Sequence, residues 1–265
     1  MYRKPQSQPA SEIEFSIIVP TLNERTHISQ FLDSLHRQSA ENFEVIVVDG
    51  GSQDGTAKIA ESLGARVLVL EGSKEFEARN YAAARSKAPI LVFSCADVVL
   101  PQTSLRSVST QFKNDSDLVA LTGPDVPYDG GPILRFTYAG YNVLRLLFSR
   151  LPHPFKVFSS STNFLAVRKE AFQYSGGFKT DDVNADGLMG KYLVERYRIS
   201  FDNKVIIYIS ARRALNWGIA RFAIHYLYVL ENFFPAISNR QWFRSLKSRS
   251  GRSHGAIHDN KPSLS

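Results

Sequence analysis

The chain has 265 residues, of which 43% are hydrophobic, and its formal net charge at pH 7 is +7. This length and composition predict one large α/β domain with a sizeable core and with appendages. The single cysteine, Cys95, excludes an internal disulfide framework and a cysteine-rich zinc site, and it fits a reducing compartment. The positive charge indicates an anionic partner, which leaves nucleotide phosphates, lipid phosphates, an anionic membrane and nucleic acid open.

The first half of the chain alternates strand and helix patterns. Residues 1–12 are polar, so we expect a flexible N-terminus and no signal peptide. Apolar runs predict strands at 15–19, 43–48, 67–70, 90–93 and 118–121, and helical spacing predicts helices at 26–38, 59–63, 76–84 and 105–112. This alternation predicts parallel β-α-β units with a ligand crevice at the carboxyl ends of the strands. We therefore expect an open, mostly parallel sheet flanked by helices.

A different segment follows at residues 130–158. From 131 to 158 it holds no acidic residue, several basic ones and six Phe or Tyr residues. At helical spacing, Arg135, Asn142 and Arg145 share one face, whereas Ile133 and Leu144 lie on another. A basic amphipathic helix with aromatic residues is typical of an interfacial membrane segment. An ordinary half-buried helix is the alternative.

The C-terminal part is predicted to be peripheral to the domain at residues 13–218. No window of about 20 apolar residues occurs, so no transmembrane helix is expected. Residues 219–239 are predicted to form a C-terminal helix. Residues 240–265 carry six Lys or Arg residues against Asp259, which predicts a basic, disordered tail.

Polar residues follow the first two strands, where a crevice is expected. Four of them turn the chain after the first strand and can meet the edge of a nucleobase: Pro20, Thr21, Asn23 and Glu24. Asp49 ends the second strand and can accept a base N–H or a ribose hydroxyl, because a carboxylate there needs a partner. Ser52 and Asp54 belong to a glycine-rich turn into a helix N-terminus, where anions bind favourably. A capping loop and a generic glycine-rich turn are the alternatives.

Two charged residues complete the candidate set for the donor side. Arg79 lies near a predicted helix start and can neutralise a diphosphate through its guanidinium fork. Asp97 lies just past the strand at 90–93, where its carboxylate can bind a hard divalent cation together with a nucleotide diphosphate. A solvated helix face and a helix cap are the respective alternatives.

In their order and spacing, the segments 16–24, 45–56, 77–80 and 90–97 resemble family 2 glycosyltransferases with a GT-A fold. The resemblance covers roughly residues 15–193 and, more loosely, extends to 218. It implies inverting transfer from a UDP- or GDP-sugar, with Mn²⁺ or Mg²⁺ held through a D-x-D motif. Asp97 matches the metal-binding acid of that motif, whereas Cys95 replaces its first acid, and a thiol is a poor ligand for Mg²⁺.

The resemblance continues on the acceptor side and implies a catalytic base. The family carries an acidic pair at the start of a helix, and Ala185 and Asp186 stand at those positions. Asp186 matches the general base, with Asp181 and Asp182 as fallback candidates. Arg212 and Arg213 follow a predicted strand at 205–209, and such a pair in some relatives is expected to contact the donor diphosphate or an acceptor phosphate. A lipid headgroup and plain surface charge remain alternative roles for this pair.

These features together predict an inverting, metal-dependent glycosyltransferase. The segment 130–158 and the basic tail favour a lipid-linked acceptor and a cytoplasmic protein that is peripheral at the cytoplasmic membrane face. A nucleotide-sugar-binding subunit that lost catalysis through Cys95 and Ala185 is the alternative of a different class. Nucleic-acid binding would rest on charge alone, so no nucleic-acid partner is expected.

Overall fold

The structure is a computed structural model, and it describes residues 13–152, 156, 161–180, 185–212 and 215. The predictions for residues 1–12, 219–239 and 240–265 fall outside the described residues. Within them, the elements in chain order are β1 (Phe15–Thr21), α1 (Arg25–His36), β2 (Phe43–Asp49), α2 (Thr56–Ser62), β3 (Arg66–Val69), α3 (Glu75–Arg85), β4 (Ile90–Ser94), β5 (Val98–Val99), α4 (Ser104–Asn114), β6 (Leu118–Thr122), β7 (Asp125–Pro127), α5 (Pro132–Arg150), β8 (Phe164–Arg168), α6 (Lys169–Tyr174), α7 (Ala185–Arg196), β9 (Arg198–Phe201) and β10 (Ile207–Ile209).

Seven strands form the main sheet in the order β3-β2-β1-β4-β8-β6-β9. The pairs β1·β2, β1·β4, β2·β3 and β6·β9 are parallel, whereas β8 lies antiparallel between β4 and β6. The predicted open, mostly parallel α/β sheet is therefore confirmed. Since the chain runs outward from β1 to β3 and then returns to β4, the strand order reverses between β1 and β4. A ligand crevice is expected at that point.

The sheet is buried on both faces, as its continuous apolar strands predict. Ile17 and Val19 point into one core layer with α1 and α4, and Ile18 points into the other layer with α3, α6 and α7. Helix α1 packs its apolar stripe against the first layer, and its stripe consists of Ile28, Phe31, Leu32 and Leu35. This two-sided burial fixes the carboxyl ends of β1, β2 and β4 at one edge.

A second, small sheet has the order β5-β10-β7 and joins distant parts of the chain. Strand β10 pairs antiparallel with β5, which follows Asp97, and parallel with β7. Gly123 precedes β7, and a Cβ at this position would lie 1.8 Å from the carbonyl oxygen of Val205. Only glycine fits such a close approach. The small sheet therefore brings the segment before Arg212 to the end of β4.

The structure differs from the predicted elements mainly where strands are short. Strands β5, β7 and β9 have two to four residues, too few for an alternating pattern to stand out. Helix α1 ends at His36 instead of Gln38, and within the segment predicted at 130–158 the described residues form a helix over Pro132–Arg150.

Candidate functional site

The loops after β1 and β2 form one hydrogen-bonded unit centred on Asp49. Its carboxylate is 2% exposed and accepts hydrogen bonds from the Ser52 hydroxyl at 2.6 Å, the Ser52 amide at 2.8 Å, the Gly51 amide at 3.1 Å and the Thr21 hydroxyl at 3.1 Å. These donors compensate the cost of burying the charge. The predicted residues Thr21, Asp49 and Ser52 therefore lie together, in an arrangement that holds the glycine-rich turn against β1.

Asn23 and Asp54 connect the same two loops. Asn23 adopts φ 54°, donates its amide N–H to the Ser52 hydroxyl at 2.8 Å, and accepts the Gln53 amide at 2.9 Å through Oδ1. Asp54 accepts the Thr56 hydroxyl at 2.5 Å and the Arg25 amide at 3.1 Å. Partial burial would raise the pKa of Asp54, but these hydrogen bonds outweigh it and lower that pKa. Pro20 lies inside β1, beside this unit.

Arg79 lies behind the end of β4 and has no exposed surface. Its guanidinium donates to Glu75 Oε1 at 2.7 Å, to the Ser94 carbonyl at 3.1 Å and to Cys95 Sγ at 3.4 Å. Burial opposes the charge, but the pairing with Glu75 and Cys95 outweighs it and raises the pKa of Arg79. Direct contact between this guanidinium and a donor diphosphate would require these contacts to rearrange.

Asp97 and Glu24 converge on one cation, Arg212. Arg212 Nε donates to Asp97 Oδ2 at 2.9 Å, and its Nη1 and Nη2 donate to Glu24 Oε2 at 2.9 Å and Oε1 at 2.5 Å. Glu24 follows β1, Asp97 follows β4 and Arg212 follows β10, so the two sheets meet at this cluster. We call Glu24, Asp97 and Arg212 the strand-end triad. The sequence predicted each residue for the donor side but not their mutual pairing.

The electrostatics of the strand-end triad are those of a strong ion pair. Burial would raise the pKa of Glu24, but hydrogen bonds from His27 and Arg212 outweigh it and lower that pKa. The His27 Nδ1 lies 3.0 Å from Glu24 Oε2. For Arg212, burial disfavours the charge, but Glu24 and Asp97 outweigh it and raise the pKa of the guanidinium. The pairing therefore favours the charged forms of Glu24 and Arg212.

Asp129 is a site residue that the sequence analysis missed. Its carboxylate accepts the Ser210 hydroxyl at 2.7 Å and the Ala211 amide N–H, immediately before Arg212. The backbone of Ser210 also donates to the Asp97 carbonyl at 3.0 Å. Asp129 precedes two glycines, a signal that indicates only a turn. Its role becomes visible once β7 and β10 pair.

The structure describes the candidate base, Asp186, but not the second arginine, Arg213. Asp186 lies in the first turn of α7, is half-buried, and accepts the Gly187 amide at 2.8 Å through Oδ1. Its position at the start of a helix matches the predicted one. Arg213, Asp181 and Asp182 fall outside the described residues.

A divalent cation at Asp97 needs further oxygen ligands from a bound diphosphate and from water. No group of three His, Cys, Asp or Glu residues within the described ranges can hold a metal ion. Asp97 Oδ2 accepts Arg212, and no residue that the structure describes donates to Asp97 Oδ1. One hard oxygen is therefore available, and a diphosphate and water can complete the coordination of Mn²⁺ or Mg²⁺. Cys95 Sγ is engaged by Arg79.

Helix α5 buries Leu134, Tyr138 and Arg145 and exposes several large apolar residues. Arg145 is 4% exposed and pairs with buried Asp125 at 3.2 Å, which Asn163 also contacts. Burial raises the pKa of Asp125, and Arg145 opposes that rise. The exposed side carries large apolar residues: Ile133, Phe136, Val143, Leu144 and Leu147. None of the described helices combines the length and hydropathy needed to cross a membrane.

Comparisons with known proteins agree with this geometry. The model of the family described as "Glycosyl transferase family 2" matches residues 16–174. A relative, the O-antigen chain rhamnosyltransferase RfbN of Salmonella typhimurium, is 22% identical over 206 residues, which cover 74% of this chain and 66% of the relative. A PGL/p-HBAD biosynthesis glycosyltransferase of Mycobacterium bovis is 34% identical over 51% of this chain and 55% of the relative. The chain thus spans less than two thirds of the length of these curated relatives.

Solved structures share the fold. A mannosyltransferase, PcManGT from Pyrobaculum calidifontis in complex with GDP-Man and Mn²⁺, aligns with a TM-score of 0.64 and 21% identity over 92% of this chain and 75% of its own. TarS 1-349 of S. aureus in complex with UDP-GlcNAc aligns with a TM-score of 0.63 and 18% identity over 91% of this chain and 80% of its own. At these identities, the likeness establishes the GT-A fold.

Proposed function

This chain belongs to glycosyl transferase family 2, and from that premise we propose that it is an inverting glycosyltransferase. It moves a sugar from a UDP- or GDP-sugar to an acceptor hydroxyl or phosphate. The observation that carries the proposal is the position of Asp97, which follows β4 where the strand order reverses and accepts a hydrogen bond from Arg212 at 2.9 Å. An acid and a cation at this point are suited to the metal and the diphosphate of one donor.

The donor's nucleoside lies, in this proposal, against the hydrogen-bonded unit of Thr21, Asn23, Asp49, Ser52 and Asp54. The rigid hydrogen bonding of that unit supports the assignment, because a preformed loop binds a ligand at a lower entropic cost. The fold neighbours in complex with GDP-Man and UDP-GlcNAc support a nucleotide sugar as the class of donor. We assign Arg212 and Arg213 to the diphosphate, and Arg79 supports the end of β4 from behind.

Asp97 would hold Mn²⁺ or Mg²⁺ together with the donor's diphosphate, and the bound ion would supply Lewis-acid stabilisation of the leaving group. Asp186 accepts the proton of the acceptor hydroxyl as its oxygen attacks the anomeric carbon. The new bond forms on the face opposite the breaking bond to the diphosphate, so the anomeric configuration inverts.

We further propose a lipid-linked acceptor and peripheral association with the cytoplasmic membrane face. The exposed apolar side of α5 supports this, with Phe136 82% and Ile133 72% exposed. Residues 131–158 lack acids, which suits an anionic lipid surface. The relative named as an O-antigen chain rhamnosyltransferase is compatible with an acceptor in glycan assembly.

The test of the donor site is nucleotide binding with and without Mn²⁺. We expect the parent protein to bind UDP or GDP at least ~10-fold more tightly with Mn²⁺ in isothermal titration calorimetry, and Asp97→Asn to lose that gain. Asp117→Asn changes an exposed aspartate on another loop and serves as the matched control. Equal Mn²⁺-dependent binding by the parent and by Asp97→Asn would contradict the assignment. Metal-dependent binding without any sugar transfer would favour the binding-only subunit.

A further inference from the structure

We infer that Arg212 couples metal binding to nucleotide binding by exchanging partners. It neutralises Asp97 in the donor-free protein, and it transfers to the donor's diphosphate when a divalent ion binds Asp97. This inference rests on the proposed function, because the metal and the diphosphate are its two ligands. One side chain thereby makes the binding of the metal and the binding of the nucleotide depend on each other.

The two carboxylate partners of Arg212 are bound unequally. Its pair of hydrogen bonds to Glu24 is bidentate, and the Glu24 side chain is 4% exposed. Its contact with Asp97 is a single bond through Nε, and the Asp97 side chain is 19% exposed. Bidentate, buried pairs are the stronger and the less screened. The Asp97 contact is therefore the one that a ligand can replace, and Glu24 is the pivot that keeps the guanidinium at the site.

The backbone around Arg212 is fixed independently of its side chain. Asp129 accepts hydrogen bonds from Ser210 and Ala211, and the Ser210 amide donates to the Asp97 carbonyl at 3.0 Å. The Arg212 amide itself donates to the Ser210 hydroxyl at 3.2 Å. The exchange therefore needs a small rotation of the side chain and no movement of the backbone.

The charges at the site determine whether the metal and the nucleotide favour or oppose each other's binding. A divalent ion that arrives alone must displace the guanidinium from Asp97 and then lies beside it, so metal binding without nucleotide is opposed. A diphosphate offers the displaced guanidinium a new anionic partner, so metal and nucleotide favour each other's binding, and the coupling is reciprocal. Cys95 stands where a second motif acid would share the metal, which leaves Asp97 as the carboxylate for which both cations compete.

Electron paramagnetic resonance of free and bound Mn²⁺ tests the inference on the full chain. For the parent we expect saturating UDP or GDP to tighten Mn²⁺ binding at least ~10-fold, within the usual range of coupling between sites. Arg212→Gln should bind Mn²⁺ alone ~3-fold or more tightly than the parent does, and the gain from nucleotide should shrink toward none. An unchanged or weaker Mn²⁺ affinity of Arg212→Gln without nucleotide, with the parent's full gain from nucleotide, would overturn it.

Two further variants keep the result interpretable. Arg212→Gln leaves Glu24 buried without its cation, so the double variant Glu24→Gln/Arg212→Gln removes both charges and should show the same tighter binding of Mn²⁺ alone. Arg198→Gln breaks an exposed pair with Asp115 and should behave as the parent. A parent that gains nothing from nucleotide contradicts the metal site of the proposed function as well. A parent that gains while Arg212→Gln matches it contradicts only the role of Arg212.

Discussion

At the scale of single residues, Cys95 stands where the resemblance to the family leads us to expect the first acid of a D-x-D motif. Its sulfur lies 3.4 Å from Arg79 Nη2 and 3.6 Å from the Thr162 carbonyl oxygen. The buried guanidinium is thus already in place for an anion at this position. The departure therefore changes the ligand chemistry beside Asp97 without leaving the neighbouring cation exposed to solvent.

We expect Cys95→Asp to fold and to tighten Mn²⁺-dependent nucleotide binding several-fold, because it adds a hard oxygen beside Asp97 while Arg79 balances the buried charge. Calorimetric titration of UDP or GDP with Mn²⁺ measures the effect. Cys95→Asn has nearly the same shape without the charge and should not tighten binding. A loss of binding in Cys95→Asp with a native circular dichroism spectrum would count against a metal at this edge.

Individual residues of the site were predictable where they follow strands, but their partners were not. Asp97 and Glu24 follow apolar runs, which the sequence makes plain. Arg212 bonds to Glu24 across 188 positions of sequence, and that contact exists only because β10 pairs with β5. Ion pairs of this kind depend on tertiary topology, which local pattern does not contain. Asp129 and Asp125 were missed for the same reason.

At the scale of elements, α5 shows what periodicity can and cannot predict. The spacing placed Arg135, Asn142 and Arg145 on one face; in the structure Arg145 is buried and Asn142 half-buried, but Arg135 is exposed. Ile133 and Leu144, placed on the other face, are both exposed. It did not predict that Arg145 would be buried, because that depends on Asp125 in β7 offering a buried partner. Helix α5 therefore buries a charged residue beside Leu134 and Tyr138, while large apolar residues on its other side stay exposed.

The exposed apolar residues of α5 make the membrane prediction more specific. Each basic residue near an anionic surface contributes about 1 kcal/mol, which salt screens, whereas burial of apolar area contributes ~25 cal/mol per Å² regardless of salt. We therefore expect the protein to sediment with anionic vesicles at low salt and to be released only in part at high salt. Release should become nearly complete when Ile133, Phe136 and Leu147 are changed to Ser.

The matched control for that prediction changes exposed apolar residues elsewhere. Val69 is 58% and Tyr174 is 75% exposed, and neither lies on α5. Val69→Ser/Tyr174→Ser should sediment with vesicles as the parent does. A parent protein that stays in the supernatant at low salt would contradict the membrane proposal, and the face would then be better explained by contact with another protein surface.

At the scale of the whole molecule, the predicted donor residues and the predicted base lie on different elements. Strands β1, β2 and β4 present the predicted donor residues, and α7 opens with Asp186 on the side of the chain that resembles the family's acceptor half. The fold class was predictable because strands buried on both faces leave continuous apolar runs separated by helical patterns. The antiparallel insertion of β8 between β4 and β6 was not, because it reflects pairing across about 70 residues.

Inverting transfer with Asp186 as the base can be tested directly. The measurement is incubation with a panel of UDP- and GDP-sugars and Mn²⁺, with nucleotide release quantified and the anomeric configuration of the first product determined by NMR. We expect an inverted product, and we expect Asp186→Asn to lower turnover ~10²-fold or more with donor affinity nearly unchanged. Asp33→Asn, at an exposed position on α1, should turn over as the parent does. A product of retained configuration, or near-normal turnover by Asp186→Asn, would contradict the claim.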